Sequence, residues 1–283
     1  DIGIALGQFL LAKDGKSDSQ RRAYEQMQAA LLADFKGRKL SSITPAELVN
    51  HVDNHTGTPT TFNARATAIK TFWKWCSKLP RGWCDAKTTE VLERREVPRS
   101  TIGILNAEQC QKLMETAERH YPECVPAMAI KLFTGLRNSE LERLEPGDIT
   151  DEGITLRVET TKTSRRRFIS MPEPLAKWLK IYPIAETVLP ANWKRKEKAI
   201  RRLAGWKVWC DLVEPPEPPA HLPDWPDNAL RHTHASAMVA MGKPLDKLTF
   251  EFGHSGGHAV LKSHYVGAMT KAEAERIWGI EPS

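Results

Sequence analysis

No apolar run in this sequence approaches the roughly 20 residues that a membrane-spanning helix needs, so no passage through a bilayer is expected. The opening residues, DIGIALGQFLLAKDGK, have neither a basic start nor a small-residue cleavage site behind a long apolar segment, so a secretory leader is not expected in them. They start at Asp1 rather than methionine, so a trimmed sequence is expected, with a further upstream segment left open. Cysteine is scarce. The five copies (Cys76, Cys84, Cys110, Cys124 and Cys210) are odd in number, scattered and never spaced as a pair of metal ligands. That disfavours a disulfide scaffold and suits a reducing, cytoplasmic setting. Tyrosine is scarcer still, at four copies, and no internal repeat divides the chain.

What is present suits globular domains: 283 residues, 41% apolar and 27% charged, enough for one large core or two ordinary ones. The front of the chain reads as helices. SQRRAYEQMQAALLADFKGRKL sets Met27, Ala30, Leu31 and Phe35 at helical spacing, with Gly37 as the stop. SSITPAELVNHV has Thr44 as N-cap, Pro45 at the first helical position and Glu47 three residues after the cap. TTFNARATAIKTFWKWCSKL puts Phe62, Ala66, Ile69, Phe72, Trp73 and Cys76 on one face and Arg65, Lys70, Lys74 and Lys78 on the other. Residues 1–95 hold 15 Lys and Arg against 10 Asp and Glu, which leaves 26 against 25 for the remainder. The front part therefore carries most of the net charge of +6, and a phosphate backbone and a plain solvated surface compete as its explanation.

LERREVPRSTIG has no periodicity and reads as a linker, after which Asn106 and Gln109 open a capped helix. VPAMAIKLFTGLRNSELERL reads as two short helices broken at Gly135. Ile154, Leu156 and Val158 alternate over one strand and Phe168 to Met171 offer a second, with TTKTS between them: a small antiparallel hairpin. EPLAKWLKIY and NWKRKEKAIRRLAGWKVWCDLV read as helical, and EPPEPPAHLPDWPDN as a surface loop too rich in proline for helix or central strand.

PDNALRHTHAS concentrates an arginine and two histidines in one place. A metal site would recruit His232 and His234, with His254, His258 and His264. Residues two apart on a helix point to different faces, however, and Gly256-Gly257 spoils the i, i+4 spacing of His254 and His258, so no metal is expected. Packed core histidines and a locally paired Arg231 are the plainer reading. A phosphate site is the third. Two helix-borne arginines would grip non-bridging oxygens bidentately, a hairpin lysine would reach a leaving oxygen, and a tyrosine is a competent nucleophile for phosphorus. Glu140, three residues after Arg137, lies where it can brace that guanidinium.

Four blocks, in order, resemble the tyrosine recombinase (phage integrase) family: TGLRNSELERL its first arginine box, TKTSRRRFISMP its lysine hairpin, ALRHTHASAMVAMG its second arginine box, and FGHSGGHAVLKSHYVG the closing segment with a histidine and then the nucleophilic tyrosine. TTFNARATAIKTFWKW is similar to the family's core-binding domain. The resemblance implies a mainly α chain of two domains: an all-helical core DNA-binding domain over 1–92, a linker over 93–104, and a mostly helical catalytic domain with a small antiparallel sheet over 105–283.

It further implies that Tyr265 attacks a DNA phosphate to give a 3′-phosphotyrosine without metal, ATP or other cofactor. Arg137 and Arg231 would hold the phosphate, Lys162 would protonate the leaving 5′-oxygen, and His254 would hydrogen-bond the phosphate, with Glu140 and His232 in support. DNA contacts are expected from Arg65, Lys70, Lys74, Arg165, Arg166, Lys194 and Arg195. The implied partners are a specific double-stranded DNA site in a bacterial nucleoid, phage or mobile element, and a homo-tetramer exchanging the C-terminal helix AMTKAEAERIWGI between subunits; an intramolecular cap is the simpler use of that helix. One position departs from the pattern. The family carries a histidine or lysine three residues before the second arginine, and here that residue is Asn228, which cannot take a proton. A DNA-binding protein that kept the fold and lost the chemistry is the alternative that Asn228 raises.

Overall fold

The computed structural model describes residues 1–98, 102–157, 166–213, 220–253 and 264–283. No helix among them is long and apolar enough to cross a membrane. The chain divides into two compact units, Asp1–Ser100 and Thr101–Ser283.

The first unit holds four helices, α1 (Ile2–Leu11), α2 (Asp18–Phe35), α3 (Pro45–Asn54) and α4 (Pro59–Ser77). Thr44 and Glu47 form the expected reciprocal cap of α3: the Thr44 hydroxyl accepts the Glu47 amide, and the Glu47 carboxylate accepts the Thr44 amide at 2.8 Å. The apolar stripes of α1, α2 and α4 meet in one core, where Phe9 packs edge-on against Phe72 with ring centroids 5.3 Å apart. All six α4 residues expected on the apolar face are buried. The aperiodic connector starts as part of this unit. Leu92 belongs to its core, the Arg95 amide donates to Asn63 at 2.8 Å, and the Arg95 guanidinium lies 3.6 Å from the Phe62 ring centre.

In the second unit α5 (Ala107–His120) carries the Asn106/Gln109 cap, and α6 (Val125–Thr134) is buried along its whole length. A three-stranded antiparallel sheet follows in the order β1 (Ile149–Thr150), β2 (Gly153–Leu156), β3 (Arg167–Ser170), with Ile154 opposite Ile169. The hairpin was legible in the sequence and the short β1 was not. Val158 and the TTKTS segment lie outside the described residues.

Two readings need correction. The basic helix α9 spans only Trp193–Leu203; Gly205, at φ +110°, then turns the chain into β4 (Trp206–Lys207). The proline-rich stretch contains β5 (Leu222–Asp224), which pairs with β4 in parallel. A two-stranded ribbon exposes both edges, so Pro223 can lack an amide hydrogen there without breaking a ladder.

Among the described residues the remaining α-helices are α7 (Asn138–Leu141), α8 (Glu173–Ile181), α10 (Ala229–Ala240), α11 (Leu245–Phe252) and α12 (Lys271–Trp278). The C-terminal α12 packs on α10 and α5 of its own chain. Ala274 and Ile277 find buried sites at home, and the Trp178 indole donates to the Ile280 carbonyl at 3.0 Å just beyond the helix.

Candidate active site

Gly135 ends α6 in the left-handed conformation, at φ +62°. A side chain there would stand 2.9 Å from the Phe252 ring, so space as well as backbone requires glycine. The break delivers Arg137 to the start of α7. Its amide donates to Glu140 at 2.9 Å, its Nη1 donates to the other Glu140 oxygen at 2.8 Å, and its Nη2 donates to the Gly253 carbonyl at 3.2 Å. Glu140 is wholly buried. Burial works against its charge, but Arg167, the Arg137 amide and the Arg137 guanidinium together hold its pKa below the ordinary carboxylate value.

Arg167 escaped the sequence reading, which named only Arg165 and Arg166 in that run. It points inward from β3 and donates to Glu140 at 2.7 Å. Strand alternation was the available signal: Arg167 and Ile169 share the buried face, whereas Phe168 and Ser170 are exposed.

Arg231, on α10, donates from Nη1 to the Gly135 carbonyl at 2.7 Å and from Nη2 to the Phe252 carbonyl at 2.9 Å, with its guanidinium 4.7 Å from the Phe252 ring centre. Burial first, and then the neighbouring charge of Arg137, pushes its pKa down to about 9. Three guanidiniums thus meet around the Phe252–Gly253 backbone. Gly253 is itself left-handed at φ +57°, and a side chain there would come within 2.6 Å of Arg167.

Tyr265 is 3% exposed, and its hydroxyl lies 2.9 Å from Nδ1 of His232. Burial raises its pKa, while Arg231 and then Arg137 act in the opposite direction. His234 is a packed core group. It is buried, its Nδ1 lies 3.1 Å from the Leu132 carbonyl, and desolvation pushes its pKa down to about 3. Asn228 precedes α10 in a left-handed conformation, φ +52°, and lines a polar cavity of about 100 Å³ together with Arg231, Asn138 and Asp227.

The structure therefore brings Arg137, Glu140, Arg231, His232 and Tyr265 together with Arg167. Lys162, His254 and Arg165 lie outside the described residues. Of the residues expected to touch DNA, Arg166 and Lys74 are exposed and Arg65 and Lys70 half-buried. Lys194 pairs with Glu142 at 2.9 Å and Arg195 with Asp211 at 2.6 Å, both on exposed surface, because α9 sits beside acidic partners that sequence distance concealed.

A second buried carboxylate, Glu197 on α9, binds Lys131 and Arg201. In the first unit both imidazoles of His51 and His55 turn to one oxygen of Asp34, at 2.6 and 3.1 Å. This is the one group among the described residues with a possible metal donor set.

A buried helix that breaks at a glycine, an arginine braced by a buried glutamate, and a buried tyrosine within the field of a second arginine make up the candidate site. The phage integrase family matches residues 104–271, more than half of the chain. The chain belongs to the phage integrase family, the tyrosine recombinases. Similar solved structures include a lambda integrase dimer bound to a COC′ core site (16% identity, TM-score 0.67, covering 89% of this chain and 94% of that one). Another is a lambda integrase tetramer bound to a Holliday junction (15% identity, TM-score 0.71, 92% and 76%). A third is the Tn1549 transposon integrase with transposon right-end DNA (16% identity, TM-score 0.64, 97% and 98%). At such identities the likeness speaks for the fold. No curated protein matches the chain.

Proposed function

We propose that this chain is a site-specific DNA recombinase that cuts and rejoins strands through a 3′-phosphotyrosine at Tyr265. One observation carries the reading: the single buried tyrosine hydroxyl of the site lies within the field of the two arginines, Arg231 and Arg137, expected to hold a phosphate. Positive charge there stabilises both a phenolate and the charge on a phosphodiester under attack. Tyr121, Tyr182 and Tyr24 lack that setting; the Tyr182 hydroxyl, for one, donates to Glu118 at 3.0 Å.

In the proposed cycle Arg137 and Arg231 grip the non-bridging oxygens, Glu140 and Arg167 hold Arg137 in position, and Lys162 protonates the leaving 5′-oxygen as His254 hydrogen-bonds the phosphate. A 5′-hydroxyl from a partner strand reverses the step. Because the phosphoester is retained in the covalent link, the cycle balances without ATP, metal or another cofactor. The N-terminal unit, with Arg65, Lys70 and Lys74, would contact the phosphate backbone, as would Arg166. The proposed assembly is a homo-tetramer on double-stranded DNA, acting in the cytoplasm on a nucleoid, phage or mobile-element site.

The test is to present the protein with a library of nicked duplexes of randomised sequence and recover covalently attached DNA. An adduct that Tyr265→Phe abolishes supports the enzyme. Sequence-selective binding with no adduct would instead favour the non-catalytic binder that Asn228 raises.

A further inference from the structure

The phenolic proton of Tyr265 needs a destination, and Asn228 cannot provide it, since an amide side chain donates and accepts hydrogen bonds but takes up no proton. One turn further along the same helix stands His232. Its amide donates to the Asn228 carbonyl at 2.9 Å, so the two positions stack i, i+4. Its Nδ1 lies 2.9 Å from the Tyr265 hydroxyl, within the reach a general base requires, and the two rings are tilted by 36°.

The other imidazole beside the tyrosine is worse placed. His264 is exposed, and its ring centre lies 6.3 Å from that of Tyr265. For His232 to act as a base, the hydroxyl must donate to a neutral imidazole, with the Nδ1 lone pair accepting and the ring proton on Nε2.

We propose that His232, in place of residue 228, is the proton acceptor for Tyr265 when a DNA phosphodiester is cleaved, and returns that proton when the strand is rejoined. This rests on Tyr265 being the nucleophile. In the forward step the Tyr265 oxygen bonds to phosphorus while the P–O5′ bond breaks; the phenolic proton passes to Nδ1 of His232, and the 5′-oxygen takes a proton from Lys162. In the reverse step the incoming 5′-hydroxyl returns its proton to Lys162 as its oxygen bonds to phosphorus and the P–O bond to Tyr265 breaks, and the leaving phenolate recovers its proton from His232. Histidine is thus a catalytic residue here, touching a reacting atom.

The surroundings favour a base. Burial, then Arg231, then His264 hold the His232 pKa below the ordinary imidazole value, with Asp227 opposing them, so the ring is neutral and able to accept at neutral pH. Around the tyrosine, Arg231 and Arg137 favour the phenolate against burial. The sign follows. As pH falls through the lowered His232 pKa, the ring protonates and cleavage is lost; the acid limb lies below the ordinary imidazole range.

The probe is the duplex recovered covalently with the wild-type protein. His232→Asn keeps an acceptor near Nδ1 but cannot take a proton. Single-turnover adduct formation should fall roughly 10²- to 10⁴-fold, the span of general base catalysis, with DNA affinity unchanged and the acid limb gone. His232→Ala should be partly restored by free imidazole. A wild-type rate in His232→Asn overturns the proposal. So does a reduced rate that keeps the acid limb, since His232 would then only position the tyrosine. An adduct that survives in Tyr265→Phe overturns the nucleophile reading instead, and the two failures are distinct. Should the His232 variants fail to fold, imidazole ¹⁵N shifts of the wild-type protein decide the matter. An unprotonated Nδ1 that changes in Tyr265→Phe supports the proposal, and a protonated Nδ1 overturns it.

Discussion

Glu140 and Glu197 belong to the same unit, and each is a buried carboxylate gripped by two cations. Around Glu197 the cations are Lys131 and Arg201, and each ends on the carboxylate. Around Glu140 stand Arg137 and Arg167, and a third guanidinium, Arg231, arrives whose two terminal nitrogens donate to the backbone carbonyls of Gly135 and Phe252. A carboxylate orients a cation and cancels its charge. A carbonyl orients it and leaves the charge in place. Among the described residues the Glu140 cluster thus gathers three guanidiniums in fixed directions around one carboxylate, whereas the Glu197 cluster is a structural tie between α6 and α9.

The largest effect expected is shared by both clusters. Glu140→Ala and Glu197→Ala each strand a buried cation and should each lower stability by about 3–5 kcal/mol in urea denaturation. They should part in DNA cleavage measured where both variants remain folded. Only Glu140→Ala is expected to lose cleavage there, and equal losses would break the comparison. Next comes Arg231→Lys, which keeps the charge but not the fork to two carbonyls. Adduct formation should drop roughly 10²- to 10³-fold, the size of losing one preorganised donor to a developing charge. Wild-type rates would remove the bidentate role assigned to Arg231.

Gly253→Ala probes the backbone hub on which Arg137 and Arg167 converge. Left-handed strain in a non-glycine residue costs about 1–2 kcal/mol, and the added methyl must also displace Arg167. A modest stability loss with a weakened phosphate site should appear together. The smallest effect is expected from replacing the whole second cluster with apolar residues, Lys131→Met, Glu197→Met and Arg201→Leu in one chain. Stability should change by only about 1 kcal/mol, because well-packed apolar groups commonly replace a buried ion cluster without loss. Cleavage should persist. A collapse of cleavage in this variant would show the two clusters to be one functional unit.

Much of the local framework was legible in the residues. Thr44 with Glu47 and Asn106 with Gln109 are caps closed over three residues, so local spacing carries them completely. Gly135 read as a helix break for the same reason, and Glu140 as the brace of Arg137 because i, i+3 neighbours share a helix face. The parallel pairing of β4 with β5 was illegible: each strand is two or three residues long, proline interrupts one of them, and neither has room to show a period. The ion pairs of Lys194 and Arg195 were missed because a basic helix looks the same in sequence whether it faces phosphate or carboxylate.

By itself, then, the sequence determined most of the helical segments, several of their caps and breaks, and the four blocks that resemble the family's. These are short-range facts, written in residues three or four apart. Only the tertiary structure decided that Arg167 joins Arg137 on Glu140 across 27 residues, that Arg137 reaches the Gly253 carbonyl across 116, and that His232 stands against the Tyr265 hydroxyl across 33. Such contacts have no local signature, because their geometry is fixed by how α6, α10 and β3 pack around one buried backbone turn.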